Sequence, residues 1–267
     1  MRNFWAVVLA TAIAGAPTPL TGSHAAAVEI HVLTAGEVQE AEKQLAAGYR
    51  RMTGNGVTFI TGTADQIEER LKNKEPADVI VMAKAALQQL EQEGEIRPQA
   101  AAILGRVGIG VGIREGEATP DISTPEKFGA AMLNARSITY MDPAAGASSG
   151  IATAKILEEL GIADQMAAKT KLTQSGYSAE RVASGEVEIA IQNISEIVPV
   201  KGVRLAGPLP APLQVYTVYC AGVANNSVNP KEAMDFVRFL IRAESVRIWQ
   251  EAGVEPAYQG GGRSTGH

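Results

Sequence analysis

Residues 107–113 read Val-Gly-Ile-Gly-Val-Gly-Ile, an apolar run with glycine at every second position. We interpret it as a β-strand, and glycine inside a strand is typical of a bend or of close approach by a neighbouring backbone. A second long β-rich run covers residues 213–224. We interpret the two runs as strands that cross between two lobes, the first leaving one lobe and the second returning to it.

Strands and helices alternate on both sides of the first crossing run. Apolar stretches predict strands at 28–33, 57–60, 78–82, 137–140 and 187–191, and the spacing of apolar residues predicts helices at 36–53, 64–71, 85–92, 124–133, 148–160, 176–184, 230–240 and 243–252. This alternation is typical of an α/β fold with mostly parallel sheets covered by helices. Lobe I is predicted to comprise residues 27–107 and 214–256, and lobe II residues 108–213.

The composition is that of an ordinary globular protein and argues against two classes of partner. Of the 267 residues, 46% are hydrophobic and 20% are charged, and the formal net charge is −5. An acidic chain without a basic block gives no electrostatic case for binding nucleic acid or an anionic membrane surface. A small anionic ligand is still compatible with this charge, because backbone N–H groups at the start of a helix bind anions locally.

The two ends of the chain are predicted to lie outside the folded lobes. Arg2 precedes an uncharged apolar run at 4–14, and small residues near 23–27 offer cleavage positions, which is typical of a secretory signal peptide over residues 1–26. The run is too short to span a bilayer, and an uncleaved anchor is the alternative. We therefore expect a periplasmic protein, with the glycine-rich residues 257–267 as a flexible tail.

The sequence has no motif for a metal, a cofactor or a nucleophilic enzyme. Cys220 is the only cysteine, so an intramolecular disulfide is impossible, and we interpret it as a small buried side chain. There is no HExxH motif, no paired cysteine and histidine spacing for zinc, and no P-loop. The glycines of residues 107–113 are not followed by a helix start, so they do not form a dinucleotide-binding motif. We expect neither a metal nor a cofactor.

Six short motifs are distributed along the chain. They are HVLTAG at 31–36, GTA at 62–64, PADVIVMA at 76–83, LQQL at 87–90, GEI at 94–96 and DPAAGASSG at 142–150. Together they resemble type 2 periplasmic solute-binding proteins, in particular the molybdate-binding branch, over nearly all of residues 28–255. The resemblance implies two Rossmann-like lobes, a ligand in the cleft between them, hinge closure around that ligand, and a monomer that serves a membrane ABC permease.

Three of these motifs place small or hydroxyl residues where a strand ends and a helix begins. Exposed N–H groups there, assisted by a hydroxyl, can hold an oxyanion, although serine and threonine are also preferred helix caps. A fourth loop at 192–196 offers amide side chains, and a lysine after the strand at 78–82 offers a charge. The predicted ligand contacts are Thr34, Ala35, Gly62, Thr63, Ala83, Lys84, Ser148, Ser149, Gly150, Gln192 and Asn193.

The fourth loop departs from the pattern of the molybdate-binding branch. Proteins of that branch carry a tyrosine in this stretch, where this sequence has Gln192 and Asn193, and they favour serine where it has Thr34 and Ala35. Amide side chains also suit planar carboxylates and hydroxyl groups. The expected ligand is therefore a small anion, either an oxyanion such as molybdate or a small di- or tricarboxylate.

Two functions from different classes fit these observations. One is a transport receptor. The sequence does not distinguish it from a sensor subunit that docks to a membrane receptor. The other is an enzyme, because the same branch resembles aconitate isomerase, which interconverts cis- and trans-aconitate without a cofactor. That reaction needs a base near the reacting carbon, fixed carboxylate contacts and exclusion of water. The candidate bases are Lys84, Glu37, His31 and Tyr140.

Overall fold

The computed structural model describes residues 27–256. The predicted signal peptide at 1–26 and the predicted tail at 257–267 lie outside these residues. The strands are β1 (Glu29–Ala35), β2 (Gly56–Gly62), β3 (Val79–Ala83), β4 (Ala102–Arg114), β5 (Ile138–Thr139), β6 (Ile189–Asn193), β7 (Val203–Pro208), β8 (Tyr216–Val223) and β9 (Glu255–Pro256). None of the helices within 27–256 is both long and apolar enough to cross a membrane.

The helices alternate with these strands largely as the sequence predicts. They are α1 (Gln39–Thr53), α2 (Ala64–Lys72), α3 (Lys84–Gln92), α4 (Pro125–Asn134), α5 (Ser148–Glu159), α6 (Ala163–Ala167), α7 (Ala179–Ala183), α8 (Ile194–Ile197), α9 (Pro230–Leu240) and α10 (Val246–Glu251). The helix predicted at 176–184 is shorter than expected, because Gly176 has φ +76° and lies outside the helical region.

The first sheet is buried on both faces. Its strand order is β2-β1-β3-β8-β4, with β1 parallel to both of its neighbours and β8 antiparallel between β3 and β4. One face packs on α1, α9 and α10, and the other packs on α2 and α3. Burial of both faces explains why β3, in the middle of this sheet, is continuously apolar.

The second sheet shares β4 with the first. Its other strands are β6, β5 and β7, with β5 parallel to β6 and with β4 antiparallel to both β6 and β7. Residues 102–108 of β4 pair with β8, and residues 109–113 pair with β6. β4 therefore crosses from one lobe to the other between Gly108 and Ile109, one residue beyond the lobe boundary that the sequence predicts.

The return connection contains the predicted boundary at 213/214, but it lies before the strand of the β-rich run rather than within it. β8 pairs only with strands of the first sheet, so the chain crosses back at 209–215. Prolines at 208, 210 and 212 lack an N–H group, which prevents a continuous strand there. The side chain of Gln214 takes the place of backbone strand pairing here. It accepts from the N–H of Ile109 at 2.8 Å and donates to the C=O of Ile109 at 2.9 Å.

Helix α5 lies unusually close to the backbone of lobe II. A Cβ atom at Gly150 would lie 2.2 Å from the carbonyl oxygen of Met141, a separation that no side chain tolerates without movement of the backbone. A glycine on α4 offers a contrast, since a Cβ atom at Gly129 would meet nothing nearer than Leu160 Cδ1 at 3.9 Å. Gly150 therefore fixes the position of the helix that begins at Ser148.

Gly150→Ala is expected to lower the free energy of unfolding by about 2 kcal/mol, because overpacking outweighs the better helix propensity of alanine. Gly129→Ala, also within a helix, is expected to leave stability unchanged or to raise it by up to about 1 kcal/mol. Urea unfolding of the two variants measures the difference. Equal stabilities for the two variants would contradict the close approach of α5 to Met141.

Candidate functional site

A cleft of about 720 Å³ lies between the two lobes. Lobe I contributes the carboxyl ends of its parallel strands, at Ala35, Gly62 and Ala83, together with the residues that follow them. Lobe II contributes the start of α5 and the segment 174–177. This is where a fold of two α/β lobes offers backbone N–H groups and short polar side chains from both sides.

Six of the residues singled out in the sequence line this cleft. They are Ala35, Glu37, Gly62, Thr63, Ala83 and Ser148. Thr63 is also a helix cap, since its hydroxyl accepts from the N–H of Gln66 and the Gln66 side chain accepts from the N–H of Thr63. The capping role suggested by the Gly-Thr-Ala motif is therefore present, and both Thr63 and Gln66 line the cleft.

Thr34 lies outside the cleft and is fully buried. Its hydroxyl lies 2.5 Å from Glu42 Oε2 and 3.2 Å from the carbonyl oxygen of Ala35. One hydroxyl proton cannot serve two acceptors, so a protonated Glu42 that donates to Thr34 satisfies both contacts. Burial raises the pKa of Glu42 to about 8, although the contact with Thr34 lowers it. The Thr34 hydroxyl therefore makes its hydrogen bonds in the interior of lobe I.

Four other predicted contacts are not among the residues that line the cleft. Ser149 and Gly150 are buried within α5. Gln192 is buried, and its Oε1 accepts from the Ser178 hydroxyl at 2.8 Å. Asn193 is buried beneath the cleft and donates to Glu196 Oε2 at 3.0 Å.

The remaining candidate bases lie elsewhere. Lys84 lines a separate cavity of about 840 Å³ with Arg106, Ile194 and Gly253. His31 lies against Asp78, with Nδ1 to Oδ2 at 3.6 Å, and Tyr140 packs on the core of lobe II. The 840 Å³ cavity is larger than the cleft, yet none of the helix-start motifs at 34–36, 62–64 and 148–150 lines it.

Three further residues in the cleft carry chemistry that the motifs do not reveal. Glu196 enters from α8, Tyr177 follows Gly176, and Tyr219 lies on β8. Two tyrosines thus line the cleft from segments other than the fourth loop. Alternation along β8 could have indicated which face Tyr219 occupies, but nothing local to residues 174–177 indicates that Tyr177 faces lobe I.

Two carboxyl groups from opposite lobes meet in this cleft. Burial raises the pKa of Glu37, while a backbone hydrogen bond and the hydroxyl of Tyr219 lower it. Burial, and then the negative charge of Glu37, raise the pKa of Glu196 to about 8, while Asn193 and Gln192 lower it. Burial and the surrounding carboxylates raise the pKa of Tyr177 to about 12. At neutral pH the centre of the cleft therefore holds protonated donors.

The charged groups at the rim of the cleft are also acidic. Glu40 and Glu180 line it, and Glu40 is paired with Lys43 at 3.1 Å on the outer side. No lysine or arginine is among the residues that line the cleft within the described part of the chain. The donors that this cleft offers are therefore neutral, namely backbone N–H groups, hydroxyls, amides and the protonated carboxyl of Glu196.

The chain belongs to the bacterial extracellular solute-binding proteins, whose family profile matches residues 30–255. It is similar to an aconitate isomerase from a Pseudomonas species, with 27% identity over 247 residues that cover 90% of this chain and 92% of that protein. The family match and the solved structures that resemble this chain confirm the expected fold class, an α/β fold of two lobes.

Two of those structures illustrate the range of the fold. The periplasmic molybdate-binding protein of Azotobacter vinelandii superposes with a TM-score of 0.69 at 20% identity, over 84% of this chain and 98% of that chain. The sulfate-binding protein SubI of Mycobacterium tuberculosis H37Rv superposes with a TM-score of 0.65 at 13% identity, over 87% of this chain and 88% of that chain. At these identities the likeness shows the fold alone.

Glu42→Gln is expected to remove part of the pH dependence of stability. The pKa of Glu42 is about 8 when folded against an ordinary value of 4.5, so its protonated form stabilises the protein at acidic pH. That contribution is lost as pH rises from about 4.5 to about 8, by roughly 3–5 kcal/mol for a fully buried group. Urea unfolding at pH 5 and pH 8 measures it.

The matched control for this experiment is Glu69→Gln, an exposed position on α2. It should keep the wild-type difference between the two pH values, whereas Glu42→Gln should reduce the difference and be more stable than the wild type at pH 8. Identical pH profiles for wild type and Glu42→Gln would show that Glu42 does not stay protonated in the folded protein.

Proposed function

We propose that the protein binds a small tricarboxylate in the interlobe cleft and interconverts cis- and trans-aconitate there. The observation that carries this proposal is the pair of carboxyl groups, Glu37 and Glu196, that faces the cleft from opposite lobes with raised pKa values. Groups whose pKa lies near the working pH exchange protons most effectively. Similarity to an aconitate isomerase along nine-tenths of the chain supports the same reaction.

The donors of the cleft suit a ligand with several carboxylates. The starts of α2 and α5 direct N–H groups toward the cleft from the two lobes, near Thr63 and Ser148. Protonated Glu196 adds an O–H donor between them. Hydrogen bonds to charged acceptors are about twice as strong as those between neutral groups. A tricarboxylate can therefore be held without a basic side chain.

The reaction is a shift of one proton along an allylic system. It needs a group that removes a proton from the CH₂ carbon and a proton donor at the vinylic carbon, in a site that excludes water. Closure of the two lobes supplies the exclusion of water, because β4 and residues 209–215 connect the lobes while the cleft walls stay on separate sheets. No metal or cofactor is required for this step.

A transport receptor is the second candidate, and family membership favours it. In that role the same cleft closes on a small anion, an oxyanion or a carboxylate, and the monomer presents it to an ABC permease. Export to the periplasm through the signal peptide at residues 1–26 belongs to both proposals. The two differ in one respect only, since a receptor releases its ligand unchanged.

The mature protein is expected to convert trans-aconitate to cis-aconitate without an added cofactor. Chromatographic separation of the two isomers over time measures the conversion, with heat-inactivated protein and the Gly129→Ala variant as controls. Binding of the acid by calorimetry without conversion would leave the transport receptor as the function. Neither binding nor conversion would exclude tricarboxylates as ligands of this cleft.

Affinity for an unreactive analogue, propane-1,2,3-tricarboxylate, is expected to fall as pH rises above about 8. The pKa of Glu196 is about 8 in the free protein, and its neutral form donates to the ligand while its ionised form repels it. Loss of one proton weakens binding by up to about tenfold for each further pH unit. Calorimetry at pH 6, 8 and 9 measures the slope, and Glu196→Gln, which cannot ionise, should flatten it.

A further inference from the structure

Two short helical turns meet across the cleft, one from each lobe. The first, Gly36–Val38, follows β1 in lobe I and carries Glu37. The second is α8, which follows β6 in lobe II and carries Glu196. The two turns pack against each other, and both glutamates line the cleft. The fold therefore brings one carboxyl group from each lobe to the same place, where a bound ligand lies between the lobes.

The surroundings of the two carboxyl groups differ. Glu196 Oε2 accepts from Asn193 Nδ2 at 3.0 Å. Glu37 lies beside the hydroxyl of Tyr219, a side chain that is only 2% exposed and that also lies beside Ser148. The phenol donates to Glu37 and favours its ionised form, so Glu37 is the member of the pair that ionises first.

Every other titratable group that lines the cleft is acidic or a phenol. They are Glu40, Glu180, Tyr177 and Tyr219. With no basic side chain among the residues lining the described cleft, two adjacent carboxylates would repel each other without compensation. The pair therefore holds a single proton as its working state, with Glu37 ionised and Glu196 protonated.

We propose that Glu37 and Glu196 are the base and the acid of the allylic proton transfer, an inference that rests on the proposed function. A carboxylate oxygen of Glu37 removes a proton from the CH₂ carbon of the substrate. The electron pair of that C–H bond forms the new double bond, and the electrons of the old double bond take the proton of Glu196 at the former vinylic carbon. One C–H bond breaks, one forms, and nothing is oxidised or reduced.

The pair ends each turnover with its proton on the opposite residue. Glu37 is then the acid and Glu196 the base, which is the arrangement required for the reverse reaction. Exchange of carboxyl protons with water restores the first arrangement. The hydrogen that arrives in the product therefore comes from solvent, and the hydrogen that leaves the substrate goes to solvent. A single base that moved one proton between the two carbons would instead keep the substrate hydrogen in the product.

The origin of the new hydrogen tests this mechanism directly. trans-Aconitate is converted in D₂O by the wild-type protein, stopped below about one tenth of equilibrium conversion, and the cis isomer is analysed by mass spectrometry and proton NMR. Close to one deuterium per molecule, at the new CH₂ carbon, is the expected result. Product that keeps the substrate hydrogen would overturn the two-group mechanism while leaving the isomerase activity in place. Absence of conversion would overturn the proposed function and this inference together.

Two conservative variants separate the roles. Glu196→Gln keeps the base and is expected to lose isomerisation by 100-fold or more, while it still exchanges the CH₂ hydrogens of bound substrate with D₂O. Glu37→Gln lacks the base and is expected to lose both isomerisation and exchange. Both variants should still bind propane-1,2,3-tricarboxylate at pH 6. Glu69→Gln, on the outer face of α2, should match the wild type in every measurement.

The difference in hydrogen exchange between Glu196→Gln and Glu37→Gln is the result that distinguishes the acid from the base. A role limited to folding or to ligand binding would affect exchange and isomerisation equally in the two variants, or would abolish binding. Wild-type isomerisation in either variant, or exchange that persists in Glu37→Gln but not in Glu196→Gln, would overturn the assignment of base and acid.

Discussion

The close packing of α8 on β4 is the contact on which the rest of the structure depends. A Cβ atom at Gly110 would lie 2.7 Å from Ile194 Cγ1, and one at Gly112 would lie 3.0 Å from Ile197 Cγ2. The alternate glycines of residues 107–113 therefore leave room for a helical turn directly on the crossing strand. That turn carries Glu196, so the strand that joins the lobes also sets the depth of the carboxyl group at the cleft.

Most of the fold follows from local patterns in the sequence, because hydrophobic periodicity and strand–helix alternation are local properties. The crossing strand at 107–113 could be predicted from the alternate glycines and the length of the apolar run. The return crossing was assigned to the β-rich run at 213–224, whereas β8 belongs wholly to the first sheet, since a β-rich run looks the same whether it crosses between sheets or completes one. The three prolines before it were the signal that the strand starts later.

Only part of the site could be predicted from the sequence, because local patterns do not give the direction in which each side chain points. Ala35, Gly62 and Ser148 reach the cleft because strand ends and helix starts lie there in any fold of this kind. Thr34, one residue earlier on β1, faces the opposite side of the strand and meets Glu42. Tyr177 and Glu196 face lobe I from lobe II, and such a relation depends on how the lobes are placed rather than on any nearby residue.

The position of β8 has a consequence for the order of events after synthesis. This strand, residues 216–223, lies between β3 and β4 in the middle of the first sheet, so the four earlier strands of that sheet are joined into one sheet only after β8 has been made. The second sheet has all of its strands between residues 109 and 208 and can assemble sooner. Pairing across so long a span of chain is slow. In a nascent chain of this topology the first sheet therefore stays incomplete until residues 216–223 have been made.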